Sequence, residues 1–123
     1  MANKSRRVGT EAENWVVALL QEVYPDADVT RRGGNQASWD ITGTPVPHEV
    51  KRHKTLQIPA WTRQLAARHG DAWVLWCVPR DARKSTTTGH PPVAVLPVPY
   101  LIHLLRTEVA YLRSALSGRR SDA

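Results

Sequence analysis

Cysteine is nearly absent: the 123-residue chain holds one. A single thiol excludes an intramolecular disulfide framework and any cysteine-rich zinc module. No apolar run approaches the roughly 18 residues that a membrane span needs, so no membrane association is expected. The opening Met1-Ala2-Asn3-Lys4-Ser5-Arg6-Arg7 carries charge but no apolar segment behind it. That is not the pattern of a secretory signal, and a reducing cytoplasmic setting is the expectation. His48, His53, His69, His90 and His103 form no His-x-x-x-His or His-x-His pair, so they read as structural or surface residues. Acidic residues are also scarce, eleven against seventeen basic ones, which leaves a net charge of +6. The surplus favours a polyanionic partner. Thirteen of the seventeen bases are arginine, whose planar fork matches phosphate oxygens.

With 41% hydrophobic and 23% charged residues the composition is that of an ordinary globular domain, and the length suits one. No internal repeat or composition shift divides it. Residues 1–8 read as a basic flexible arm, 9–116 as a single domain and 117–123 as a basic flexible tail. Thr10 with Glu11 and Glu13 looks like a helix start, since acids complement the first turn. Trp15, Val16, Leu19, Leu20 and Val23 then recur at helical spacing. Residues 27–31 lean towards strand. Residues 38–42 and 46–52 alternate around the Gly43-Thr44-Pro45 turn and predict a hairpin. Pro59 opens a second helix that ends at Gly70. Residues 72–78 are continuously apolar, the pattern of a strand covered on both faces. Residues 79–92 predict a long loop, 93–98 a short strand and 100–116 a helix. The expected order is α-β-β-β-α-β-β-α, a mixed sheet flanked by helices.

Within that order three acids and a lysine stand out. Asp40 lies in one arm of the hairpin. Glu49 and Lys51 lie in the other, two apart, so both leave the same face of the strand. Glu13 lies in the first helix. Magnesium takes oxygen ligands, often one or two carboxylates with waters. Asp40 and Glu49 can supply the two carboxylates, and the carbonyl of Val50 a third oxygen. Lys51 beside them can orient an attacking water or stabilise charge on a phosphate. Glu-x-Lys alone is weak, with about 0.16 chance occurrences expected from this composition. The acid on the preceding strand, the turn between and the upstream helix make the combination far rarer.

Asp40…Glu49-Val50-Lys51 resembles the motif of the PD-(D/E)XK nuclease superfamily. More narrowly, the chain is similar to the archaeal-type Holliday junction resolvases. The likeness spans about residues 6–78. It includes Arg7-Val8-Gly9-Thr10-Glu11-Ala12-Glu13, the Arg31-Arg32-Gly33-Gly34-Asn35 stretch before Asp40, Gln64-Leu65 in the second helix, and the apolar strand 73–78. Trp39 stands where the family usually has proline, and the extended final helix departs from the family pattern. The resemblance implies a restriction-endonuclease-like fold and an endonuclease that uses Mg²⁺, with Mn²⁺ able to substitute. It implies metal binding by Asp40, Glu49, Val50 and Glu13, catalysis by Lys51 and assistance from Gln64. It further implies branched or four-way DNA as substrate, a homodimer that makes paired cuts, and a role in DNA recombination or repair.

Blander readings stand beside these. Glu13 is an ordinary helix acid if Glu11 fills its place. Gln64 reads equally as an exposed helix residue. Lys4, Arg6, Arg7, Arg31, Arg32, Arg52 and Lys54 are candidate phosphate contacts, or plain solubilising charge. Cys77 and most tryptophans read as core. Leu101, Leu104, Leu105 and Leu112 give the final helix enough apolar surface to dimerise or to close the core. Two other functions remain open: a different nuclease of this fold, including one serving a phage, and a catalytically silent nucleic-acid-binding module.

Overall fold

The computed structural model describes residues 3–29, 40–53, 55–79 and 91–121, with side chains described within 11–118. The chain runs α1 (Asn3–Leu20), β1 (Asp28–Val29), β2 (Ile41–Thr42), β3 (His48–Lys51), α2 (Ile58–His69), β4 (Val74–Cys77), β5 (Val93–Val95) and α3 (Val98–Ser121). The expected order of elements is therefore the observed one. The five strands form one sheet in the order β1-β2-β3-β4-β5. The pairs β1–β2, β2–β3 and β4–β5 are antiparallel, and β3–β4 is parallel. A parallel pair needs a crossover, which α2 supplies.

Side-chain alternation divides the core into two. On one face Ile41 and Val78 are buried, with Val29, Val50 and Trp76 against them, all beneath Ala12, Val16, Val17 and Leu20 of α1. On the other face Leu75 and Cys77 lie beneath Trp61 and Leu65 of α2, with Trp73 buried and Val95 packed alongside. Successive strand residues point to opposite faces, so β4 places Leu75 and Cys77 under α2 and Trp76 under α1. Its apolar run is thus covered on both sides, as expected.

Gly70 ends α2 with φ 67°, and its N–H donates to the Ala66 carbonyl at 2.9 Å. This is the positive-φ terminus that favours glycine. Gly43 in the β2–β3 turn also has positive φ, 78°. A β-carbon there would collide with the backbone carbonyl of Asp26.

Two boundaries differ from expectation. α1 begins at Asn3, so residues 3–8 of the expected arm continue the helix, and Glu11 and Glu13 lie well inside it instead of in its first turn. α3 continues to Ser121, taking in most of the expected tail. The residue span expected as a long loop falls mostly on 80–90, outside the described residues.

Candidate active site

The site is built where β2 starts and β3 runs. Ile41 pairs with His48. The Asp40 N–H donates to the His48 carbonyl at 3.1 Å. The Asp40 carboxylate reaches further along β3, and its Oδ2 accepts the Val50 N–H at 2.8 Å. A carboxylate held by its own backbone and by a neighbouring amide has little freedom to turn. Asp40 is buried, with 6% of its surface exposed.

Parity explains which side chains meet. Ile41, His48 and Val50 face α1. Asp40 precedes Ile41, and Glu49 and Lys51 alternate with Val50, so these three belong to the α2 face. There the Lys51 Nζ lies 3.5 Å from Glu49 Oε1, and the two side chains keep 25% and 15% of their exposure. The same ammonium lies 6.0 Å from the centre of the Trp61 ring on α2, at the outer limit of a cation–π contact. His53 packs against Trp61 with ring centres 5.1 Å apart.

The two carboxylates influence each other electrostatically. Burial pushes the Glu49 carboxyl above its ordinary range, and the negative charge of Asp40 raises it further. The Lys51 ammonium and the Arg68 guanidinium oppose both effects. Two interacting carboxylates on one face favour protonation of one of them unless a cation relieves the repulsion. In addition, the amide and carbonyl of a strand residue leave on the same edge, so the Val50 carbonyl shares the edge on which Asp40 sits. The donor types therefore suit a hard divalent cation, with two carboxylates and a backbone oxygen on offer.

Other expected residues are placed differently. Glu13 is half-buried on α1, the helix that covers the opposite face of the sheet. Among the described residues no group of three or more His, Cys, Asp or Glu side chains gathers to hold a metal. Asp40 and Glu49 thus share the α2 face, while Glu13 comes from the helix that packs on the α1 face. Glu11 faces Arg52, with Oε2 to Nη1 3.6 Å. Arg52, expected at the nucleic acid, thus ties the end of β3 to α1. Gln64 is exposed on α2. Arg31, Arg32 and Lys54 lie outside the described residues, as do the side chains of Lys4, Arg6 and Arg7.

Arg68, which sequence reasoning did not assign to the site, is exposed on α2, and its charge is the smallest of the influences on the Glu49 carboxyl. It follows Trp61 by seven and Gln64 by four, so the three share one side of α2, where Trp61 is the buried member. That spacing was the available signal.

Behind the site, His48 is buried against Trp76. The Trp76 Nε1–H donates to His48 Nδ1 at 2.9 Å. Indole can only donate, so His48 must present an unprotonated Nδ1. Burial lowers its pKa from 6.5 to about 4.

Comparison with protein-family models, with curated proteins and with solved structures finds no match for this chain.

Proposed function

We propose that this protein is a divalent-metal-dependent DNA endonuclease of restriction-endonuclease-like fold that acts on branched DNA. The observation that carries the reading is the placement of Asp40 and Glu49 on one face of the sheet, with the Lys51 ammonium 3.5 Å from Glu49. The surplus of basic residues supplies the general attraction for DNA.

Asp40 and Glu49 would hold Mg²⁺, with Mn²⁺ an alternative, and the Val50 carbonyl is the third protein oxygen on that edge. The ion, when bound, supplies Lewis acidity that activates water and offsets charge on the phosphate. The chain's own residues do the rest. The Val50 amide fixes the orientation of the Asp40 carboxylate. Lys51 offers an ammonium to the attacking water and to the phosphate oxygens, where negative charge develops in the transition state. Arg68 favours the ionised form of Glu49, the form a ligand needs. Attack at phosphorus in line with the departing 3′-oxygen leaves a 5′-phosphate and a 3′-hydroxyl. Resolution of a four-way junction needs two symmetric cuts, and a second copy of the chain provides the second site.

The test is a cleavage panel of a synthetic four-way junction, a linear duplex and single strands, each with Mg²⁺, Mn²⁺ or EDTA. The expected result is metal-dependent cutting of the junction at paired positions. Cutting of every duplex would make the enzyme a general nuclease. Retarded but uncut DNA under all conditions would overturn the enzymatic reading and leave a nucleic-acid-binding module. Lys51→Ala is expected to abolish cutting while DNA binding persists.

A further inference from the structure

Among the described residues, nothing packs on the final helix for most of its length. Tyr100 is buried at its base, and every residue from Leu101 to Gly118 is exposed. Tyr100, His103, Leu104 and Thr107 border a notch shared with Tyr24 and Val46, so this face turns towards the domain. The opposite face carries Val98, Ile102, Leu105, Val109, Leu112 and Leu116, all of them exposed. Their spacing is four, three, four, three, four. That is an unbroken heptad seam with Ile102, Val109 and Leu116 at position a and Val98, Leu105 and Leu112 at position d.

We infer that α3 pairs with α3 of a second copy as a short, parallel, two-stranded coiled coil. This inference stands on α3 alone and does not rest on the nuclease reading. Three observations select the occupant. First, β-branched residues at two a positions with leucine at two d positions are the combination that favours parallel dimers. Second, charge sets the direction. Glu108 falls at position g and Arg113 at the following e, the spacing at which a parallel pair bridges g of one chain to e of the other. An antiparallel pair would instead bring together the two e edges, on which Arg106 and Arg113 offer only like charge. Third, the area suffices. The six seam residues expose on the order of 600 Å² per chain, at the upper end of what a monomer shows as one patch. Two copies would bury roughly 1,200 Å², the lower bound of a specific interface. A groove bounded by Leu105, Val109, Arg106 and Arg113 runs along this face and gives the holes that facing side chains would fill.

Sedimentation velocity on the full chain across a concentration series, together with cross-linking, tests this. The expected result is a reversible dimer. Leu116→Cys should form an intermolecular disulfide on mild oxidation, because a parallel seam sets each a position beside its own copy. The lone native thiol, Cys77, is buried and will not compete. Leu105→Glu combined with Leu112→Glu should yield a monomer with an unchanged tryptophan emission spectrum, since neither residue belongs to the core. Glu108→Arg or Arg113→Glu alone should weaken the dimer roughly ten-fold, and the double reversal should restore it to within about three-fold. A monomer at every concentration overturns the inference. So does a dimer that survives the double leucine change. A dimer without the Leu116→Cys disulfide overturns the parallel arrangement.

Discussion

His48 makes the sheet sensitive to acid, and the size of the effect follows from its surroundings. The ring is buried, and its Nδ1 accepts the Trp76 indole N–H. Protonation would place a second N–H against that donor inside an apolar layer. The folded-state pKa of about 4 lies below the 6.5 of an exposed histidine. Between those values the unfolded chain binds a proton that the folded chain refuses, so stability falls as pH falls. The contribution is fully present above pH 6.5 and is lost by about pH 4. The difference corresponds to about 3 kcal/mol, a large share of a stability that is about 5–15 kcal/mol for most domains. Glu49 works in the opposite sense, since its raised pKa favours the folded state in acid, and other carboxylates add their own dependence. A control must therefore share those groups. His48→Asn retains an acceptor near Nδ1 and does not titrate. Urea unfolding at a series of pH values, followed by tryptophan fluorescence, compares the two proteins. The variant will be less stable at pH 7 because it leaves space. Its loss between pH 7 and pH 4 should be smaller than that of the parent by about 3 kcal/mol. Parallel stability curves would show that His48 titrates normally and would refute the argument.

The proposed metal-binding pair, Asp40 and Glu49, predicts a pH profile. Cleavage and Mn²⁺ binding should fall away on the acid side at a pH above the ordinary Glu value, because Glu49 must lose its proton to ligate. Arg68→Ala should move that limb to higher pH, measured by the pH dependence of Mn²⁺ affinity; an unmoved limb would refute the role given to Arg68. Gly43→Ala should destabilise the fold by several times the cost of an ordinary surface change, about 0.5 kcal/mol, because its β-carbon meets the Asp26 carbonyl; urea melts will show it. Leu75→Ala removes a fully buried side chain from the α2 face and should cost about 2–5 kcal/mol in the same assay.

Much of the fold was legible because two periodicities dominate the chain. Alternation through Val46, His48 and Val50 against Glu49 and Lys51 located β3 and its two faces. The unbroken apolar run through Trp73 and Val78 located the strand covered on both sides. The same alternation brought Asp40 and Glu49 to one face, so the heart of the candidate site was readable. The start of α1 was not. Thr10, Glu11 and Glu13 mimic a helix N-terminus, while residues 3–8 carry too few apolar side chains to announce a helix. The geometry of Glu13 was also hidden, since helical spacing says that α1 packs on the sheet but not on which face. Arg68 and the Glu11–Arg52 pair depend on how α1 and α2 dock, a tertiary matter that no local pattern encodes. For α3, the apolar stripe announced a partner but not whether the domain itself would be that partner.

The parallel junction of β3 with β4 has a consequence for assembly kinetics. Strands β1 to β3 form a meander whose neighbours follow one another along the chain. β3 cannot reach β4 until the intervening segment with α2 has been drawn back over the sheet, and ordering that loop costs entropy before any ladder contact repays it. The crossover should therefore be a late and slow event in refolding. Because Lys51 meets Trp61 only once α2 has docked, the proposed site should be completed on that slower timescale.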